Sequence, residues 1–205
     1  MLKDNFFKKL TLYILIPLFL VALVVLIIEE TRKPPEDSNA PTEAFLIDSP
    51  YSSKYMTKEI GRAVYKNAEK YLKENTVYKQ GGKGVIEKTT YIDCSGLVIA
   101  CYNKALDKTK FKLPFSDVSS QSLFSNYITL TNKVYKGDLI FFSYREDKVV
   151  NHVGIVKEIK DDTVYFIDAI PNEENDNGKA VNIRSYKTSD NKIVGYGVMK
   201  LLKNN

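Results

Sequence analysis

The hydrophobic pattern divides the chain into three stretches of different kind. Leu10 to Ile28 is nineteen residues without a charge. As a helix that stretch is about 28 Å long, the thickness of a bilayer's hydrocarbon core. From Glu29 to about Ser53 the apolar residues thin out and Pro34, Pro35, Pro41 and Pro50 punctuate the chain. That is the pattern of a linker without stable structure of its own. From Lys54 onward, residues 54–205 read as one folded domain. Ile60, Val64, Ala68, Tyr71 and Leu72 recur at helical spacing between Thr57 and Glu74, which predicts an amphipathic helix. A second helix is expected from about Cys94 to Leu106, and a short third one from Ser119 or Ser120. The period then changes to two. Asp138–Ser143, His152–Ile159, Val164–Ile170 and Gly195–Leu202 read as strands, with Ala180–Arg184 a weaker one. Helices first and an antiparallel sheet after them make an α+β domain.

Charge gives the apolar span a direction. Lys3, Lys8 and Lys9 precede it, while Glu29, Glu30, Arg32 and Lys33 roughly cancel beyond it. The positive-inside rule keeps residues 1–9 in the cytoplasm and exports the linker 29–53 and the domain. A cleaved signal peptide is the rival reading. Its apolar stretch is normally shorter and ends in a small-x-small site, whereas this one ends in Val24-Val25-Leu26-Ile27-Ile28. An uncleaved transmembrane anchor at 10–28 is favoured, in the cell membrane with the domain outside. Pro17 is tolerable in such a helix.

Composition excludes several functions. The net charge of +5 is mild and its lysines are dispersed, which leaves a nucleic-acid partner without support. The loop Tyr78-Lys79-Gln80-Gly81-Gly82-Lys83-Gly84 has neither a Gly-Lys-Ser/Thr ending nor an expected strand before it, so it is not a phosphate loop. The acidic stretch Asn172–Gly178 resembles a calcium loop, but Arg184 stands where a bidentate glutamate is needed, and a solvated turn is the better reading. One histidine and two non-adjacent cysteines make a poor metal site. No metal and no cofactor are expected. Cys94 and Cys101, two helical turns apart, are separated by about 10 Å, beyond the ~7 Å reach of a disulfide. Cys101 then reads as a small buried residue, and Cys94 stays free.

Cys94 sits in Asp93-Cys94-Ser95-Gly96-Leu97-Val98, at the start of the second helix. There the positive end of the helix dipole favours a thiolate, and a nearby histidine favours it further. His152, the only histidine, opens the strand Asn151-His152-Val153-Gly154-Ile155. If the following strands turn around Lys160-Asp161-Asp162, Asp168 lies nearly opposite His152 and can orient the imidazole. Gly154 leaves room on that face.

These blocks resemble the NlpC-type cell-wall peptidases, papain-like enzymes of bacteria. The resemblance rests on Tyr78-x-x-Gly81-Gly82, Asp93 to Val98, Gly137-Asp138-Leu139-Ile140-Phe141-Phe142, His152-Val153-Gly154-Ile155 and Phe166-Ile167-Asp168-Ala169, in the family's order. It implies a papain-like fold with N-terminal helices packed on an antiparallel sheet. It also implies Cys94 as nucleophile, His152 as base and Asp168 as the orienting residue, a position often occupied by histidine in the family. Tyr78 is implied to hold the oxyanion together with the Cys94 amide, and Asp93 and Ser95 to bind the free amine of a peptide stem. Gly137 and Asp138 read as structural, a turn glycine and a capping carboxylate. Gln80 stands where the family often has an aromatic residue. The expected function is an exported, membrane-anchored cysteine peptidase acting on peptidoglycan or its muropeptides, at the bond between D-γ-glutamate and the diamino acid. Amidase or transglutaminase-like transferase chemistry on the same thioester is the alternative, and a catalytically silent wall-binding module a more distant one.

The anchor has a direct test. A reporter fused after residue 33 is expected to be active only outside the cytoplasm, and the mature protein to keep its N-terminus. Recovery of a soluble form beginning near residue 29 would overturn it.

Overall fold

The structure, a computed structural model, describes residues 51–175 and 177–204. The expected membrane span and most of the linker lie outside them. Among the described residues no helix is long and apolar enough to cross a membrane.

The linker ends earlier than its composition suggests. Tyr51–Ser52 forms strand β1, antiparallel to Leu201–Lys203 (β12). These two residues were expected in the linker, but pairing with a distant strand decides their conformation. A 3-10 turn, Ser53–Tyr55, leads to α1, Lys58–Tyr71, capped by the Thr57 hydroxyl, which accepts from the Ile60 amide at 3.3 Å. Ile60, Val64, Tyr65 and Ala68 bury one face of α1.

Several short strands escaped the periodicity reading, Ile128–Leu130 of the main sheet among them. β2 (Thr76–Tyr78), β3 (Lys83–Ile86) and β4 (Thr89–Ile92) make a small sheet in the order β2-β4-β3. β5 (Phe111–Lys112) joins β1 and β12 in another. Runs of two to four residues are too short to show a period, and their backbone partners come from elsewhere in the chain. A strand, β2, therefore does precede the glycine loop. Helix α2 runs Cys94–Leu106, with Leu97, Val98, Cys101 and Tyr102 completely buried. The short α3, Ser120–Ser122, continues as a π turn over Leu123–Tyr127.

The main sheet has six antiparallel strands in the order β10-β9-β8-β7-β11-β6. They are β6 (Ile128–Leu130), β7 (Leu139–Phe142), β8 (His152–Lys160), β9 (Thr163–Ala169), β10 (Val181–Lys187) and β11 (Ile193–Met199). The stretch expected as one strand to Leu202 splits at Lys200, β11 staying in this sheet and β12 leaving it. Alternation sends Leu139, Phe141, Val153, Ile155, Ile167 and Ala169 into the cluster with α1 and α2. Ile140, Phe142, Val156, Val164 and Phe166 form a second cluster from the other set of positions. Both faces are apolar, so β7 reads as a continuous hydrophobic run. In the turn before it, the Asp138 carboxylate accepts from the Tyr135 amide at 2.7 Å, and the Tyr102 hydroxyl donates to the Gly137 carbonyl at 3.0 Å.

The β8–β9 register matters most. Ile155 faces Ile167 and Val156 faces Phe166. Continued by one residue, this puts Gly154, not His152, opposite Asp168. His152 therefore meets Asp168 diagonally, across the glycine. A Cβ at 154 would stand 2.9 Å from a Phe166 ring carbon and 3.3 Å from the Asp168 Cβ. Only a residue without a side chain leaves that diagonal open.

Gly154→Ala is expected to push Phe166 and Asp168 aside and to cost about 1–3 kcal/mol, as overpacking in a tight core does. Thermal melts should show the loss, and alkylation of Cys94 should slow because His152 loses its alignment. Unchanged melting and alkylation would contradict this account of the register.

Candidate active site

The start of α2 is fastened before any chemistry is asked of it. Asp93 is the N-cap, and its Oδ1 accepts from the Gly96 amide at 2.6 Å and from the Ser95 hydroxyl at 3.1 Å. Its Oδ2 accepts from the Gly81 amide at 2.6 Å, which ties the glycine loop to the helix. A side chain at Gly96 would collide with the Gly82 carbonyl oxygen, so this close approach requires glycine there. Cys94 thus occupies the first turn, where backbone N–H groups have no acceptor within the helix. It is buried and unpaired, as is Cys101. Burial raises the Cys101 thiol far above its ordinary range, which makes it inert.

His152 opens β8 beneath the rings of Phe142 and Tyr144, whose centroids lie 5.8 and 5.5 Å from its own. Its Nε2 is 2.7 Å from Asp168 Oδ2. Cys94 is the other group that acts on the ring and favours its charged form. Burial disfavours a charged ring, but the hydrogen bonds and charges of Asp168 and Cys94 outweigh it and hold the His152 pKa up at about 9. Asp168 is completely buried. Burial alone would raise its pKa, but His152 and Arg184 prevail and keep it below the usual carboxylate range.

Arg184 is the residue that sequence reasoning missed. Its Nε lies 3.1 Å from both Asp168 oxygens, and its Nη2 donates to Asp168 Oδ2. The same Nη2 donates to the Tyr144 hydroxyl at 3.0 Å. On β10, Arg184 faces Phe166 while Asn182 faces Asp168, so the guanidinium too reaches Asp168 along a diagonal. The available signal was a charged residue alternating with Tyr186 on a strand whose neighbour carries a buried acid. Without the register, that signal had no partner.

Cys94 opens onto a cleft of about 540 Å³ also lined by Tyr78, Gln80, Asp93, Ser95, Arg145 and Asn151. The three residues expected to bind substrate therefore all reach it. Burial, then the charges of Cys94 and Asp93, push the Tyr78 hydroxyl up to about 12, which keeps it a hydrogen-bond donor. The acidic loop expected to be a solvated turn has a second task. Asn172 Oδ1 accepts from the Tyr78 amide at 2.7 Å, and its Nδ2 donates to the Thr76 carbonyl at 3.0 Å, which fixes β2. Asp93 has three donors already, so an incoming amine would meet a carboxylate largely committed to holding the helix. No group of residues suited to a metal ion occurs among the described residues.

The imidazolium also enters stability. Its folded pKa of about 9 exceeds the ordinary 6.5, so its contribution is complete below pH 6.5 and fades as pH rises through about 9. Melts from pH 6 to 9.5 should show this decline in the parent and a flatter profile in His152→Gln. Parallel profiles would contradict the pairing.

The sequence pattern of the NlpC/P60 family matches residues 75–191. No curated protein matches the chain by sequence. Among solved structures, a lipoprotein-like NLP/P60-family protein of Staphylococcus aureus is 24% identical, covering 77% of this chain and 46% of its own, with a TM-score of 0.46. NlpC2 of Trichomonas vaginalis is 21% identical, covering 72% of this chain and 50% of its own, with a TM-score of 0.46. The chain thus spans about half the length of these two structures.

Proposed function

The chain belongs to the NlpC/P60 family, and we propose that it is a cysteine peptidase that hydrolyses peptidoglycan stem peptides, with the D-γ-glutamyl–diamino acid bond as its target. The observation that carries this reading is Cys94 on the wall of the cleft, with Nε2 of His152 on the Asp168 carboxylate at 2.7 Å and Cys94 among the groups that favour the charged ring. Leu10 to Ile28 would tether this domain to the outer face of the cell membrane and keep it near nascent wall. Peptidoglycan or its muropeptides would be the partner.

In the proposed cycle Cys94 begins as thiolate and His152 as imidazolium. The sulfur attacks the scissile carbonyl carbon, and the electron pair moves to oxygen. The Cys94 amide, in the first turn of α2, and the Tyr78 hydroxyl are the donors for that oxyanion. As the carbon–nitrogen bond breaks, His152 gives its proton to the leaving amine. A thioester remains on Cys94. His152, now neutral, takes a proton from water as the water attacks the thioester, and the acid leaves with thiolate and imidazolium restored. Asp168 holds the ring in position throughout and keeps its proton on Nε2.

Cys94→Ala is expected to abolish peptide release from purified peptidoglycan, and Asp168→Ala to slow it on the order of 10²–10⁴-fold. Mass spectrometry of the products identifies the bond. A free D-glutamyl terminus supports a peptidase, and release of whole stems or newly joined peptides would instead indicate an amidase or a transferase. Cleavage that survives Cys94→Ala would sink the mechanism.

A further inference from the structure

Asp168 is a buried anion met by two cations, and the second one is held as carefully as the first. Arg184 lies against the rings of Phe166 and Tyr186, its carbon Cζ 5.6 and 5.7 Å from their centroids. Its Nη1 donates to the Tyr186 hydroxyl at 3.4 Å and its Nη2 to that of Tyr144 at 3.0 Å. Nε and Nη2 donate to Asp168. A guanidinium is a planar fork that cannot deprotonate in a protein. Aimed at both oxygens of one carboxylate, it supplies a permanent positive charge that does not take part in proton transfer.

We infer that Arg184 is a positioning residue that balances the charge of Asp168, so that the third position of the site acts on His152 as a neutral hydrogen-bond acceptor. Two physical consequences follow. Arg184 keeps Asp168 ionised, so the proton between the two side chains stays on Nε2. It also prevents an unbalanced carboxylate from holding the imidazolium proton too tightly to pass to a leaving amine. The pair does the work that one uncharged polar residue could do. Nη2 of Arg184 lies 3.4 Å from Nε2 of His152, close enough for its charge to be felt directly. The groups around the imidazole are Cys94 from α2, Asp168 from β9, Arg184 and Tyr186 from β10, and Tyr144 from the loop after β7. Tyr78 and Asp93 line the cleft together with Cys94.

This inference rests on the reading of Cys94 and His152 as the reacting pair, but its main test needs no substrate. His152 is the chain's only histidine, so its ring carbon gives one unambiguous NMR signal in the full-length, histidine-labelled protein. Arg184→Gln should raise the midpoint of that titration by about one pH unit, a tenfold change in proton affinity, and lower kcat by about that factor. Arg184→Lys should stay closer to the parent. Asp168→Asn leaves the guanidinium unbalanced and should lower the midpoint. The double variant Asp168→Asn with Arg184→Gln restores a neutral third position, and its midpoint and activity should recover toward the parent relative to Asp168→Asn alone. That comparison holds even if Arg184→Gln alone does not fold. A merely structural Arg184 would lower the melting temperature and leave the midpoints unmoved, and the effects of the double variant would then add. Either result overturns the inference. Peptidoglycan left uncut by a parent with the expected titrations would count against the proposed substrate and not against Arg184.

Discussion

The carboxylate of Asp168 is the constraint on which the site depends. A completely buried charge is costly unless paired and hydrogen-bonded, and here both oxygens are occupied from two neighbouring strands. His152 approaches from β8 at 2.7 Å and Arg184 from β10 at 3.1 Å. Neither stands directly opposite the acid. Each reaches it along a diagonal, so the register of three adjacent strands must hold at once. One slip by a residue would send the side chains to the other face of the sheet. The apolar cluster of Ile140, Phe142, Val156 and Phe166 below them makes such a slip expensive, and packing energy is what aligns the charges.

Cys94 is held by different means. Cys94 owes its place to a helix terminus, and the terminus to a carboxylate that serves two segments. Asp93 caps α2 through Gly96 and anchors the loop through Gly81, both at 2.6 Å. Contact between that loop and the helix is possible because position 96 carries no side chain. The cleft wall, the helix start and the sulfur therefore move as one body. His152 belongs to the sheet, and α2 packs on β8. The placement of the thiol relative to the imidazole is thus set by packing between helix and sheet, and densely packed interiors deform little.

Much of this was legible beforehand, and for identifiable reasons. The bounds of α2, Cys94 to Leu106, were readable because an apolar run from Leu97 followed Asp93-Cys94-Ser95-Gly96. The turn at Asp161 and Asp162, both with positive φ, was readable from two aspartates between alternating runs. Family membership was legible in the order of five short blocks, each local. The diagonal between His152 and Asp168 was only approximately foreseen. Numbering about a hairpin turn locates an opposite residue within one or two positions, and the irregularity between Val156 and Glu158 shifts the count.

Local order therefore determined the candidate residues of the site and where the helices begin, because each is a property of neighbours within a few residues. Tertiary structure alone decided the rest. Tyr51 and Ser52 became a strand because Leu201 and Leu202 offered backbone partners. Asn172 reached β2 because the loop beyond β9 folds back over it. Arg184 could be matched with Asp168 only after β10 had docked on β9, since no local pattern records which buried charge a distant strand will neutralise. Sequence spacing encodes periodicity, but the pairing of one buried charge with another depends on register between strands, and register is fixed by the packing of the whole sheet.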